Sequence, residues 1–353
     1  MREKVAARLL MITLLIATFG IAWKTSPVYA PAGGVVWTVP SAATPTLQAA
    51  IAVAGPNDEI HVARGHFEVL AGPLAIWQNN LWIIGENRTG PSGLPGPPPP
   101  TIDLWGSTIK ITGSGVFIWG LNIIDTGGTA LGIYLAPGSG NCIIRNNTIT
   151  GLSALSTGIE VWTANNRIEL NNMSQWGTCI DLTTPNSTGN VVVGNTFGSM
   201  WMLLYNIGVQ VSNGAGFNEV YYNNLGWPGV SELWDANPGG SPPNAFDDTT
   251  GGGPSLKKGN FEVTWANPAP YLVPPGTNGY SDNWPWVVPW VQLAGDVNLD
   301  GRVDIIDIVI VAIKFTWVWS QLLWDPRADL DGDGAITIVD VVIAALNFGA
   351  VDP

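Results

Sequence analysis

Between residues 109 and 225 short apolar runs alternate with Asn, Gly and single polar residues, and the alternation returns at a regular interval. Asn141-Cys-Ile-Ile-Arg-Asn146-Asn147, Asn166-Arg-Ile-Glu-Leu-Asn171-Asn172, Asn190-Val-Val-Val-Gly-Asn195-Thr196 and Asn218-Glu-Val-Tyr-Tyr-Asn223-Asn224 follow one pattern, at spacings of 25, 24 and 28 residues. Residues 115–122 form a degenerate earlier copy. An apolar-polar-apolar triplet precedes each copy: Ile109-Lys110-Ile111, Ile133-Tyr134-Leu135, Ile159-Glu160-Val161, Ile180-Asp181-Leu182 and Val209-Gln210-Val211. Strands this short and this close together leave no room for a crossover helix, so successive copies must stack as coils of a parallel solenoid. The Asn ending each second strand tolerates a left-handed bend, and stacked amides can bond from coil to coil. This predicts a ladder of Asn146, Asn171, Asn195 and Asn223.

An open solenoid end exposes strand edges and needs a cap. Residues 46–54 read as a short amphipathic helix that could supply it, followed by a strand from Ile60. Gly/Pro-rich loops at 90–100 and 236–260 interrupt the repeats. At the N-terminus Arg2, Lys4 and Arg8 precede an apolar run, residues 9–23, and a small-residue cleavage site at Ala30. That is the pattern of an export signal. A retained anchor is the alternative, set against an apolar run shorter than the ~20 residues of a span. The expected division is a leader at 1–30, a β-solenoid at 31–290 and a further module at 291–353. The protein is accordingly expected outside the cell or at its surface, with no membrane span in the mature chain.

Composition supports many short strands joined by tight turns. Hydrophobic residues make up 46% and charged residues 12%, with 43 Gly and 27 Pro, which does not suit a helical bundle or a coiled coil. The chain carries 27 acids against 14 bases. Losing the leader would leave 26 acids against 10 bases, a net of −16. Nucleic acid and anionic membranes would repel such a chain. Export would permit a disulfide between Cys142 and Cys179, but they fall at different places in the repeat, so the fold cannot depend on one.

The C-terminal segment holds the most specific motif. Asp296, Asn298, Asp300, Asp304 and Asp307 fall at positions 1, 3, 5, 9 and 12 of a loop with Gly301 at position 6. Asp329, Asp331, Asp333, Thr337 and Asp340 repeat the spacing 33 residues later, around Gly334. With the carbonyls of Arg302 and Ala335, each loop offers the hard oxygens and sharp turn that calcium needs. Two calcium ions are therefore expected, each loop running into an apolar helix at 305–315 and 338–348. Ten acids against three bases in 291–353 imply that folding of this segment depends on calcium.

The helix-plus-strand opening, the Asn-punctuated repeats and the Trp/Asp-rich stretches at 232–235 and 281–285 resemble the pectate-lyase-like right-handed β-helix family and, within it, NosD-like proteins. The resemblance covers about residues 36–290. It implies a mainly β fold, a right-handed parallel β-helix, but no single activity, because this scaffold carries lyases, hydrolases, adhesins and spacers alike. The duplicated loop-and-helix tail resembles a dockerin, a small α-helical calcium-binding module, and so implies a cohesin-like protein partner. Known dockerins carry small hydroxyl residues at loop positions 10 and 11. This chain has Ile305-Ile306 and Ile338-Val339 there, which leaves open docking onto its own β-helix.

The middle residue of each triplet should point outward, so Lys110, Tyr134, Glu160, Asp181 and Gln210 should form one column. Adjacent Glu160 and Asp181 would repel, raising one pKa or recruiting a cation. With Lys110 and Tyr134 they are the candidate catalytic set of a polysaccharide lyase or hydrolase. The same column could be a non-catalytic glycan-binding face or simply a polar surface. Trp105, Trp119, Trp162 and Trp176 lie at strand ends or turns, where indoles could stack on sugars. Trp284, Trp286 and Trp290 read as packing for the last coil. His61 and His66 read as strand and turn residues rather than copper ligands. The preferred reading is a secreted modular protein whose β-helix presents a carbohydrate-binding or structural face and whose tail docks.

Overall fold

The computed structural model describes residues 34–69, 72–86, 98–128, 131–198, 207–225, 231–235, 244, 261–262, 271–272, 281–282, 292–318, 325 and 327–351. The expected leader, most of the two Gly/Pro-rich loops, and Trp284, Trp286 and Trp290 lie outside these residues.

The chain winds as a parallel β-helix. One sheet, here sheet A, stacks Val36–Val39, Glu59–Val62, Trp82–Gly85, Phe117–Trp119, Ile143–Arg145, Arg167–Glu169, Val191–Val193 and Glu219–Tyr221 in that order. Its registers put Ile60, Ile83, Ile118, Ile144, Ile168, Val192 and Val220 in one inward line. A second sheet, sheet B, carries two strand columns per coil. One runs through Leu74–Ile76, Ile109–Ile111 and Leu131–Leu135, the other through His66–Glu68, Thr101–Asp103 and Asn122–Ile124. The triplets contribute inward pairs such as Ile109/Ile111, Ile133/Leu135 and Ile159/Val161, so all faces feed one aliphatic core. Each fully buried Ile or Val is worth about 1.5–3 kcal/mol of transfer free energy.

The expected cap is present as helix α1, Leu47–Val53. Thr46 Oγ1 accepts from the Ala49 amide, and Leu47, Ala50 and Ile51 face the core. Gln78, buried in the next coil, donates to the carbonyls of Ile51 and Ala54 and so satisfies the C-terminal end of the helix.

Two features differ from expectation. The ladder begins at Asn147, not Asn146: the amides of Asn147, Asn171 and Asn195 donate to the next Asn, ending at Asn223, over 3.0–3.1 Å. Asn146 instead occupies the left-handed corner one residue earlier, at φ 54°, in line with Gly120, Leu170, Gly194 and Tyr222. The period across the first pair is 24 residues, so matching Asn to Asn across the repeats slips by one. A second ladder joins Asn166, Asn190, Asn218 and Asn244 over 2.9–3.0 Å.

The second difference is strand length. Thr148–Val161 and Asn172–Thr183 run to 14 and 12 residues and fuse the two columns of sheet B. The bend between columns is filled by Trp176, which is buried and donates its indole N–H to the Ile149 carbonyl. The room comes from Gly151, where an added Cβ would lie 2.6 Å from the indole. Trp176 is therefore a core residue, not an exposed stacking platform. Trp119 is also buried, beneath the C-terminal unit.

That unit, residues 292–351, carries helices α2, Ile305–Ile313, and α3, Ile338–Leu346. It lies on the outside of sheet A. Trp82, Ile84, Phe117, Trp119 and Ile143 of the sheet share an apolar cluster with Val297, Ile308, Val311, Ala328, Ile336 and Ala344 of the unit.

Candidate functional site

The column read from the triplets exists as expected. Lys110 pairs with Tyr134, Tyr134 with Glu160, Glu160 with Asp181, and Asp181 with Gln210. Trp234 follows Gln210. In-register neighbours on one face sit about 4.8 Å apart, so the five polar heads form a continuous outward line. Lys110 is exposed and the other four are partly exposed.

Neighbouring groups hold the acids in place. Trp162 Nε1 donates to Glu160 Oε1 at 2.9 Å, and the Tyr134 ring meets the Trp162 ring edge-on at 5.4 Å. Burial and the adjacent Glu160 charge push the Asp181 carboxyl up to about 7, against a Ser212 hydroxyl contact that lowers it. Burial and Glu160 also raise the Tyr134 phenol. A carboxyl half-protonated near neutrality beside a second carboxyl can both donate to and accept from sugar hydroxyls, and can exchange a proton.

Of the four Trp expected at the surface, Trp105 is 60% exposed and Trp162 partly so. Trp77, not singled out from the sequence, is 56% exposed. It follows Ile76 as Trp162 follows Val161, and the registers align Ile76, Ile111, Leu135 and Val161, so both rings stand at the same corner of the helix beside the polar column. Its strand, Leu74-Ala75-Ile76, lacks the polar middle residue that marks the later triplets, so the sequence carried no matching signal.

The acidic loops have matching internal bonding. Asp307 accepts from the Val297, Asn298 and Asp304 amides, and Asp340 from those of Leu330, Asp331 and Thr337. Each position-12 Asp thus ties the loop start to the first turn of α2 or α3, completing a capping box with Asp304 or Thr337. Asp296 accepts from Gly301, and Asp329 from Gly334. Asp329, Asp331 and Asp333 bring ligand atoms within 4.8 Å of one another. Asp329 Oδ1 is buried with no hydrogen-bond partner among the described residues. Burial, with Asp307 and Asp300 nearby, pushes Asp296 up to about 8. Such a set of hard oxygens, one of them orphaned, suits a calcium-sized cation.

His61 is buried with Nε2 2.9 Å from Glu59 Oε2, and His66 lies 3.9 Å from Glu68 and from Asp103. Both cysteines are free and buried, with thiol pKa values raised by burial.

These features define a mainly β parallel-solenoid protein with an open polar column on one sheet and a helical unit on another. The family model of NosD, a periplasmic copper-binding protein, matches residues 104–227. No curated protein matches. Among solved structures, the PL6 family alginate lyase AlyGC shares 16% identity at a TM-score of 0.35, covering 54% of this chain. The chain spans 31% of that lyase's length. Escherichia coli YbhC shares 13% identity at a TM-score of 0.30, over 61% of this chain and 79% of that one. Both likenesses are too distant to bring an activity with them. The stretch matching NosD contains no His, and its two thiols are buried. Those residues do not supply the imidazole or accessible thiolate that copper favours.

Proposed function

We propose that this is an exported, modular polysaccharide-binding protein. The β-helix engages a glycan chain along the Lys110–Tyr134–Glu160–Asp181–Gln210 column, and the dockerin-like tail takes up two calcium ions. The carrying observation is the in-register column itself, with Trp162 tied to Glu160 at its edge. An extended sugar chain laid along the helix axis would meet one polar head per coil, and the partly exposed Trp162 indole would cover a ring face. The description of the NosD family as periplasmic and the N-terminal leader pattern both favour export. In each loop Asp296, Asn298, Asp300, Asp304 and Asp307, or Asp329, Asp331, Asp333, Thr337 and Asp340, would hold the ion with the carbonyls of Arg302 or Ala335.

The tail also offers a surface for a cohesin-like partner. Ile338, Val339, Val342 and Leu346 on α3 are exposed, although they belong to a helix whose other side is packed.

A second reading rests on Asp181. A carboxyl raised to about 7 beside Glu160 is the arrangement of an acid/base pair, so the column could act as a polysaccharide lyase or hydrolase with Lys110 or Tyr134 assisting. Affinity electrophoresis of the mature chain in gels containing neutral or acidic polysaccharides tests the first reading. Retardation that weakens in Trp162→Ala supports it. Release of sugar ends that vanishes in Asp181→Asn would favour the second.

A further inference from the structure

The outward positions of the two sheets differ in kind. On sheet B the outward column from Lys110 to Gln210 is polar and at least partly exposed. On sheet A, Trp82, Phe117, Trp119, Ile143, Val193 and Tyr221 point outward, and none is more than 7% exposed. These residues are shielded by the C-terminal unit, whose contacts run along the helix axis. Near one end Trp82, Phe117 and Trp119 join the cluster containing Ile308 and Ile336. Towards the other, Val193, Tyr221 and Tyr222 close on Leu299.

Charge fills the middle of this seam. On the sheet, Glu169 bonds Arg145 and Arg167 at 2.9 Å each. On the unit, Arg327 makes a two-point pair with buried Asp325. The two groups feel each other: Arg327 helps hold Glu169 ionised, and Glu169 in turn stabilises the Arg327 cation. Lys314, buried at the C-terminal end of α2, is likewise influenced by Asp325 and by Glu59 of the sheet.

Leu299 connects this seam to the metal loops. It is the fourth residue of the 296–307 loop and adopts a left-handed conformation, φ 59°, that the loop turn imposes. It packs with Leu170 and Tyr222, which themselves hold left-handed corners at φ 56° and 57°. Bulky side chains are disfavoured there and persist where packing over-determines them.

We propose that the C-terminal unit is a calcium-set clasp on its own β-helix: an ordered 296–307 loop seats Leu299 against the corners of sheet A, so calcium binding and docking reinforce each other. The inference rests on the reading of the loops as calcium sites. By linkage, whatever calcium does to docking, docking must do to calcium affinity.

The test uses the full mature chain. Calorimetric calcium titration of chelator-treated protein is paired with hydrogen exchange measured with and without the ion. The clasp predicts that chelation speeds exchange in strands Phe117–Trp119 and Glu219–Tyr221 while Ile109–Ile111 and Leu131–Leu135 stay protected. It also predicts that Phe117→Ser, which removes no loop oxygen but opens the apolar cluster with Val297 and Ile336, weakens calcium binding by about tenfold, as does Tyr221→Ser. Calcium bound with unchanged affinity in both variants, or exchange that is unaltered or rises equally in both sheets, overturns the clasp and leaves the calcium sites standing. Absence of calcium binding by the wild type removes both. If one variant does not fold, the other and the wild-type exchange pattern decide.

Discussion

Asn171 shows how much of this fold hangs on single side chains. Its amide donates to the Ile144 carbonyl and to Asn195, while its oxygen accepts from the backbone and side-chain amides of Asn147. Asn171→Ala strands several buried polar groups at once, at about 1–3 kcal/mol each if nothing relaxes. A net loss of about 2–4 kcal/mol in urea unfolding is expected. Asp181 sets a pH dependence. Its folded value near 7 lies above the ordinary carboxyl value of about 3.9, so the folded state holds a proton that the unfolded chain releases. Stability should therefore fall as pH rises from about 4 to about 7. Because the carboxyl is partly exposed, about 1–2 kcal/mol of this should be visible between pH 5 and 8. Asp181→Asn should flatten that slope in denaturation midpoints taken at the two pH values. The column was legible in the sequence because period two fixes which residue of an apolar-polar-apolar triplet points out. The ladder was legible only to within one residue, because Asn146 and Asn147 are both Asn and hydrogen bonding, not composition, selects between them.

Among the elements, the long fused strands were the least legible. Triplets announce each strand of the outward column, but nothing in the Gly-, Ser- and Thr-rich stretch at 150–158 says that the ladder continues through the bend. Tertiary packing decides it, through Trp176 and the missing Cβ atoms opposite. Trp176→Ala should cost about 3–5 kcal/mol as an unfilled core cavity. Gly151→Ala, placing a methyl 2.6 Å from the indole, should also lower the denaturation midpoint measurably. Buried Glu169 and Arg145 form a triad with half-buried Arg167. Glu169 is held at about 2 by the two guanidinium groups, so Glu169→Ala leaves the buried Arg145 cation without its partner and should destabilise by about 3 kcal/mol, read by thermal or chemical unfolding.

At the scale of the whole molecule, the two sheets divide the labour. Sheet A reads as continuous apolar runs, Trp-Ile-Ile and Phe-Ile-Trp, the signature of strands covered on both faces. That signal is present in the sequence and agrees with the position of residues 292–351 over sheet A. No helix among the described residues is long and apolar enough to cross a membrane. With sheet A covered, the polar column of sheet B is the open surface proposed to meet a glycan. The most direct measurement incubates the mature protein, with calcium, on a panel of neutral and acidic polysaccharides and records bound protein and released sugar ends together, for the wild type and Glu160→Gln. Retention on at least one polysaccharide without release, weakened in Glu160→Gln, is expected. Release of sugar ends that disappears in that variant, or no retention on any polysaccharide, would contradict it.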